Sequence, residues 1–271
     1  MPSDLSVVMI GRDEALSLPR AVRSVRSVAK QIVFVDTGSR DDTRKVAGSF
    51  GADVFDFAWT DDFAAARNAG LERAACKWIL VIDCDEELVD PATAAISIEE
   101  ICSNISIVGC LVEIDNLQPD RAVTSHQALR IFRNDDRIRF RNPVHESVAE
   151  SIYEHWPTLS VPLSDFRLLH HGYAQGRNAE KFERNLAIMR TWLERDPLNI
   201  YASYKYGASL QQLGKAEGLE WLGRGFELLD RRPDKDTFPF GPALAEAYLR
   251  CLTRYGLENE AERVRERLAK W

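Results

Sequence analysis

The sequence predicts an α/β fold: a mostly parallel sheet with helices on both faces, followed by C-terminal helical hairpins. Three observations point to it. Over residues 5–90, short β-branched or aromatic runs alternate with segments of helical spacing. From about residue 105 the alternation stops and strand-like runs follow one another. After residue 176 the pattern is helical throughout.

The strands come first. "LSVVMI" (5–10), "QIVFVD" (31–36), "DVFDF" (53–57) and "WILVID" (78–83) are the runs, and the segments between them have helical spacing. Leu18, Val22 and Val25 recur at i, i+4, i+7, with Ser17 as N-cap and Pro19 in the first turn. Val46 and Phe50 share one face of the next helix, which Gly51 closes. "TDDFAAARNAGLERAA" starts with capping residues and continues in good helix formers. Strands alternating with helices of this length imply parallel pairing and right-handed crossovers. "IVGCLVEIDN" and "HQALRIFRND" then read as strands joined by a polar turn, with "RIRFRNPVHESV" after them, adding a mixed or antiparallel edge. "TLSVPLSDFRLLHHGY" reads as a further strand pair leading into a turn.

The helical part bends at Leu213-Gly214 and Gly256, and its hairpin spacing is similar to tetratricopeptide-type repeats of about 34 residues. The expected domains are therefore 1–175 and 176–271. Fewer than three repeats do not stand alone, so the tail is expected to pack on the first domain. Trp192, Tyr201, Tyr204, Tyr206, Trp221 and Phe226 read as core fillers of these hairpins; a groove for an acceptor peptide or a second copy of the chain is the alternative.

Composition narrows the class. The net charge of −7, from 35 basic and 42 acidic residues, argues against nucleic acid as a partner. Five cysteines make an odd count without a C-x-x-C pair, which suits a reducing compartment. "MPSDLSVVMIGRDEA" has no basic n-region, and its apolar run is too short to span a bilayer, so a cytoplasmic protein is expected.

"WILVIDCDEELVDP" (78–91) raises the functional question, because an apolar run ends in Asp83, Asp85, Glu86 and Glu87. Like charges crowded at a strand end repel unless a cation or a set of donors answers them. Residues i and i+2 of an extended segment share a side, so Asp83 and Asp85 can hold one hard divalent cation with phosphate oxygens. The carboxyl end of such a strand is also where open α/β sheets bind ligands. The alternative is a solvated acidic turn before the helix that "VDPA" starts. An EF-hand loop fails, since Leu88 and Ala94 stand where Gly and Glu are needed. A dinucleotide fingerprint fails on the single Gly of "MIGRDEA". A phosphatase-type D-x-D survives, although that pair is expected on the first strand.

Four segments in order, "VVMIGRDE", "FVDTGSRDDT", "FAAARNAG" and "WILVIDCDEE", resemble the nucleotide-sugar half of family 2 glycosyltransferases with the GT-A, Rossmann-like fold. The resemblance covers residues 5 to 175. "NPVHESV" and "LLHHGY", followed by helical hairpins, are similar to the subgroup holding bacterial peptide S-glycosyltransferases and lipopolysaccharide-core glucosyltransferases.

That resemblance implies roles. Asp36 would contact the nucleoside; Asp83 would face the ribose or the metal-bound waters; Asp85 would ligate Mn2+ or Mg2+, completed by His170, with the adjacent His171 leaving the choice open. Gly11, Asp13, Arg67 and Asn68 would line the donor site. Gly11 would let the first turn approach the nucleotide, and Arg67 would pair with phosphate or else form a helix-surface salt bridge. Asp13 stands where the family commonly carries Asn, which bears on the preferred base. A cation bridging the diphosphate would stabilise the departing charge, and Glu146 would be the base that deprotonates the acceptor. Glu146 as an exposed loop carboxylate, and His145 and His170 as structural imidazoles, stay open as alternatives. A metalloprotease reading of "HESVA" fails at Ala149.

The function expected is an inverting, metal-dependent transfer from a nucleotide-sugar, a UDP-sugar by preference, to a peptide, glycan or lipid-linked acceptor. A lipid acceptor would be reached transiently at the membrane surface, and a homodimer could form through the tail. A scaffold built on a degenerate transferase domain and a D-x-D phosphotransferase are the competing classes.

Overall fold

The computed structural model describes residues 4–118, 122–172 and 178–271. The chain separates into two compact units, Met1–Glu180 and Lys181–Trp271. The expected boundary near 176 lies outside the described residues.

The first unit is an eight-stranded mixed sheet. Its strands are β1 (Leu5–Gly11), β2 (Gln31–Asp36), β3 (Asp53–Asp56), β4 (Trp78–Val81), β5 (Glu86–Leu88), β6 (Gly109–Leu117), β7 (Val123–Arg133) and β8 (Leu163–His170), in spatial order β3-β2-β1-β4-β7-β6-β8-β5. β3, β2, β1 and β4 are mutually parallel; β7 then enters antiparallel to both β4 and β6, and β5 runs antiparallel to β8. The order reverses between β1 and β4, so their carboxyl ends flank a crevice of the kind that binds ligands in open α/β sheets.

Side-chain alternation sends Leu5, Val7 and Met9 to one face of β1, and Val8 and Ile10 to the other. The first face packs on α1 (Leu18–Val25), α2 (Thr43–Ser49) and α4 (Pro91–Ser103). The second packs on α3 (Phe63–Leu71) and on Ile152 of α5 (Ala149–His155). Caps set the starts: Asp62 accepts from Ala65 N at 2.8 Å to begin α3, and Asp90 accepts from Thr93 to begin α4. Ser17 precedes α1 but turns its hydroxyl back to Glu14 instead of capping.

Three expectations are corrected. The acidic stretch after β4 is not all turn: Glu86–Leu88 pair with β8 and bury Glu86. Residues 158–173 hold one strand rather than a pair among those described, because Pro162 has no N–H for a ladder and only its carbonyl is used, by Leu111. "RIRFRNPVHESV" adds no strand to the sheet: it holds only the isolated Arg141–Ser147 bridge and leads into α5, "AESIYEH", anchored by buried Ser151 and Ile152.

The second unit continues α6 (Asn178–Arg195) into α7 (Ile200–Gln212), α8 (Glu217–Asp230), α9 (Gly241–Arg254) and α10 (Glu258–Leu268). α7 and α8 pack closely where Gly207 meets Gly218: a Cβ at Gly218 would fall 2.6 Å from the Gly207 carbonyl oxygen. Gly214 and Gly256 turn the two hairpins, both with φ of +71°. Phe226 is fully buried in the hairpin core, whereas Tyr201, Tyr204, Tyr206, Trp192 and Trp221 are half-buried and contact one another or Phe240. Arg267 reaches from α10 to Glu227 and Asp230 of α8, and Trp271 Nε1 donates to Asp230 at 2.6 Å. Among the described residues no helix is long and apolar enough to cross a membrane.

Candidate active site

Each of the four acids after β4 is answered by side chains of the protein. Asp83 Oδ1 accepts from Arg67 Nη2 at 2.7 Å, and its Oδ2 from Arg130 at 3.3 Å. Glu86 Oε1 accepts from Arg130 at 2.7 Å, while its Oε2 accepts from the Asp83 N–H at 2.8 Å and closes the turn. Asp85 Oδ2 faces His170 Nε2 at 3.4 Å. Glu87 lies 3.2 Å from His171 Nε2 and 3.5 Å from Arg20. Topology explains the convergence. The antiparallel register pairs Leu80 with Ile131, so Arg130 sits next along β7 at the carboxyl end of β4, beside the acids.

The arginines hold Asp83 ionised, while burial favours the neutral form of Glu86. Burial works against Asp83 ionising, but Arg67 and Arg130 outweigh it and hold the carboxyl well below its usual range. Burial also opposes the Arg67 charge, yet Asp83 and Glu146 keep that guanidinium protonated. At Glu86 burial wins over Arg130 and moves the carboxyl upward, with Asp83 adding repulsion.

Arg67 ties this cluster to Glu146. Its Nε donates to Glu146 Oε1 at 2.6 Å, and its side chain is only 8% exposed. It is thus neither a surface salt bridge nor a free phosphate ligand in this structure; it is a buried bridge between Asp83 and Glu146. Glu146 lies on a loop whose ends, Arg141 and Ser147, exchange backbone hydrogen bonds at 3.0 and 3.2 Å. Asn142 and His145 adopt φ of 73° and 56°, left-handed values that an L side chain adopts at a cost. Buried Val144 anchors the loop, and Pro143 O accepts from Phe63 N, which fixes it to the start of α3. Asn68 is committed to the backbone: its Nδ2 donates to Phe140 O at 2.9 Å and its Oδ1 accepts from Phe140 N at 2.8 Å. It braces the approach to the Glu146 loop.

Asp85 and His170 form the pair suited to a cation. Gly172 keeps the space between them clear, since a Cβ there would fall 2.5 Å from both Asp85 Oδ2 and His170 Nε2. A carboxylate oxygen and an imidazole nitrogen fit Mn2+, and a single carboxylate with phosphate oxygens and water fits Mg2+. Among the described residues no group of three or more His, Cys, Asp or Glu side chains converges as a complete cage. Asp83, also expected to ligate, has both oxygens engaged by arginines. His171 turns to Glu87, so His170 is the imidazole that faces Asp85. Burial lowers the basicity of His170, but Asp85 first, then Glu86 and Asp83, hold it above its ordinary value.

The residues expected on the nucleoside side, Asp13 and Asp36, lie at the ends of β1 and β2. Asp36 is buried, and its Oδ2 accepts from the Gly38 and Ser39 N–H groups at 3.1 and 3.0 Å. Its Oδ1 is buried without a hydrogen-bond partner among the described residues. Asp13, with φ of 57°, accepts from Arg40 N at 2.7 Å and links the loop after β1 to the loop after β2. At Gly11 the missing Cβ makes room for protein: Cys84 Sγ would lie 2.7 Å from it and Phe34 3.2 Å. Close packing of β1 against these side chains is what a Cβ at Gly11 would disturb.

Residues 6–154 match the family model described as Glycosyl transferase family 2. The chain belongs to that family. It is 34% identical over 236 residues to a TPR repeat-containing protein of Synechococcus elongatus, covering 83% of this chain and 57% of that protein. It is 25% identical over 235 residues to the glycosyltransferase SunS of Bacillus phage SPbeta, covering 83% and 54%. The chain thus spans little more than half the length of these curated relatives. Among solved structures, S. aureus TarS 1-349 in complex with UDP-GlcNAc superposes with a TM-score of 0.57 at 15% identity, covering 97% of this chain and 92% of that one. At that identity the likeness is one of fold.

Arg130, and Asn116 with its Oδ1 3.0 Å from His170 Nδ1, are contributors that the sequence motifs did not single out, while Glu86 and Gly172 stood in quoted motifs without an assigned role. Arg130 and Asn116 enter only through strand register, which no local spacing shows. Glu86 had a signal, as a third acid beside a D-x-D pair.

Proposed function

We propose that this chain is an inverting, metal-dependent glycosyltransferase that takes its sugar from a nucleotide diphosphate donor, a UDP-sugar by preference, and passes it to a peptide, glycan or lipid-linked acceptor. The observation that carries this reading is the Asp85–His170 pair facing across the space that Gly172 leaves, at the carboxyl end of the β1/β4 crevice. When bound, Mn2+ or Mg2+ supplies charge stabilisation for the diphosphate leaving group. Asp36 offers a buried carboxylate oxygen to an N–H or O–H of the nucleoside. Arg67 and Arg130 hold Asp83 ionised toward the donor, and Arg67 fixes Glu146 to accept the acceptor's proton. The UDP-GlcNAc complex of TarS is consistent with a uridine donor.

Residues 1–175 form the donor domain in this reading. Residues 176–271 form a TPR-like module that contacts the acceptor or a second copy of the chain, in the cytoplasm or transiently at a membrane surface. A phosphotransferase would need a nucleophilic carboxylate, and Asp83 has both oxygens engaged. The test is a panel of UDP-, GDP- and TDP-sugars incubated with Mn2+ and candidate acceptors, with product anomers read by NMR. Turnover of a UDP-sugar with inverted configuration is expected. Retention refutes the inverting assignment, and inorganic phosphate release without sugar transfer favours the phosphotransferase.

A further inference from the structure

Two strand pairings set Asn116 at the back of His170 and beside His126. β6 and β8 run parallel with Asn116 beside His170, and β6 and β7 run antiparallel with Asn116 opposite Thr124 and Ile114 opposite His126. Asn116 is buried and its amide is fully used. Nδ2 donates to the Thr124 carbonyl at 2.9 Å and lies 3.0 Å from His126 Nδ1; Oδ1 lies 3.0 Å from His170 Nδ1.

These contacts fix the protons by elimination. A carbonyl oxygen only accepts, so the amide edge facing Thr124 must be the NH2 group. Its second hydrogen points to His126 Nδ1, which then accepts. The remaining edge of Asn116 is an oxygen, so His170 must present an N–H there. Neutral His170 consequently carries its proton on Nδ1 and leaves the Nε2 lone pair directed at Asp85.

We infer that Asn116 is a positioning residue that locks His170 in the Nδ1–H tautomer, so that Nε2 stands ready as the cation's nitrogen ligand. The inference rests on the metal-dependent reading of the site, and it names His170 over His171 for a reason independent of their order in the motif. Outer partners of a ligating imidazole set its ring orientation and basicity, and their loss costs about 10–100-fold in metal affinity. His126 completes the device by absorbing the second amide hydrogen. Burial, Arg130 and His170 all lower its basicity, which favours the neutral ring whose Nδ1 accepts from Asn116.

The experiment uses the full chain in two measurements. Mn2+ binding in the presence of UDP is followed by electron paramagnetic resonance for the wild type, Asn116→Leu and Asn116→Asp. The aspartate keeps an oxygen toward His170 Nδ1–H, whereas leucine removes it. Asn116→Leu is expected to bind Mn2+ about 10–100-fold more weakly, with Asn116→Asp within a few-fold of the wild type, and circular dichroism checks that each variant folds. Separately, long-range 1H–15N NMR on the metal-free wild type, at a pH where His170 is neutral, should show its proton on Nδ1. With five histidines in the chain the resonances can be assigned by substitution. Equal Mn2+ affinity in the wild type and Asn116→Leu overturns the inference and leaves the metal site standing, as does an Nε2–H tautomer for His170. Absence of Mn2+ binding by the wild type refutes the metal reading itself and removes the role from Asn116.

Discussion

Replacing Arg67 with methionine removes the cation that joins Asp83 to Glu146 and puts a chain of similar volume in its place. Two charge-assisted hydrogen bonds disappear, at 2.7 and 2.6 Å, each worth about 1.5–3 kcal/mol. Their sum agrees with the roughly 3–5 kcal/mol seen when one partner of a buried ion pair is deleted. At about 2–4 °C per kcal/mol for a chain of this size, the melting temperature should fall by about 6–20 °C. Arg67→Lys restores the charge but not the fork that reaches both carboxylates, so it should recover only part of the loss. An exposed pair is the control: Arg44 and Asp56 lie 2.9 Å apart with side chains 54% and 65% exposed, and Arg44→Met should cost under about 1 kcal/mol. The sign with pH follows from Asp83. Its carboxyl is depressed in the folded chain, so its contribution is complete above 3.8 and declines as the pH falls below it. The gap between wild type and Arg67→Met should therefore narrow in acid. Thermal and urea unfolding at pH 7 and in acid measure these quantities. An Arg67→Met variant that melts together with Arg44→Met would refute the bridging role assigned to this guanidinium.

Three further outcomes are expected. Glu146→Gln keeps an oxygen for Arg67 but cannot take a proton, so the rate of sugar transfer should fall about 10²–10⁴-fold while UDP binding changes little; steady-state kinetics with calorimetry separates the two. Gly172→Ala places a methyl 2.5 Å from Asp85 Oδ2 and His170 Nε2, and should weaken Mn2+ binding more than it lowers the melting temperature. Asp230 is partly buried, but hydrogen bonds from Lys235, Arg267 and Trp271 outweigh that and lower its carboxyl from 3.8 to about 2. Its stabilising effect should be whole above 3.8 and vanish as the pH drops through about 2, so the difference between wild type and Asp230→Asn in urea midpoint should shrink across that window.

Local pattern revealed some parts of the molecule and left others hidden for physical reasons. The alternation of β1 to β4 with their helices was readable because parallel strands covered on both faces are short apolar runs. The hairpin turns at Gly214 and Gly256 were readable because a left-handed residue after a helix favours glycine. Asp83 and Asp85 stood out because acids rarely follow a buried strand. Arg130 was hidden because it acts through an antiparallel pairing with a strand some fifty residues away, and Asn116 because it meets His170 only through the β6–β8 pairing, 54 residues along the chain. Arg67 was placed near the site, but its partner Glu146 lies 79 residues further along, which left its role open until the chain was folded. Gly11 stood in a motif that suggested a ligand, and the motif gave no sign that Cys84 and Phe34 pack where its Cβ would be.

The most direct measurement is calorimetric titration of UDP into the wild type with Mn2+, into the wild type with EDTA, and into Asp85→Ala with Mn2+. Binding that requires Mn2+ and is lost in Asp85→Ala is expected if Asp85 and His170, 3.4 Å apart beside Gly172, hold the cation as proposed. UDP binding of equal strength in EDTA, or undiminished in Asp85→Ala, would contradict a metal-dependent donor site at the end of β4.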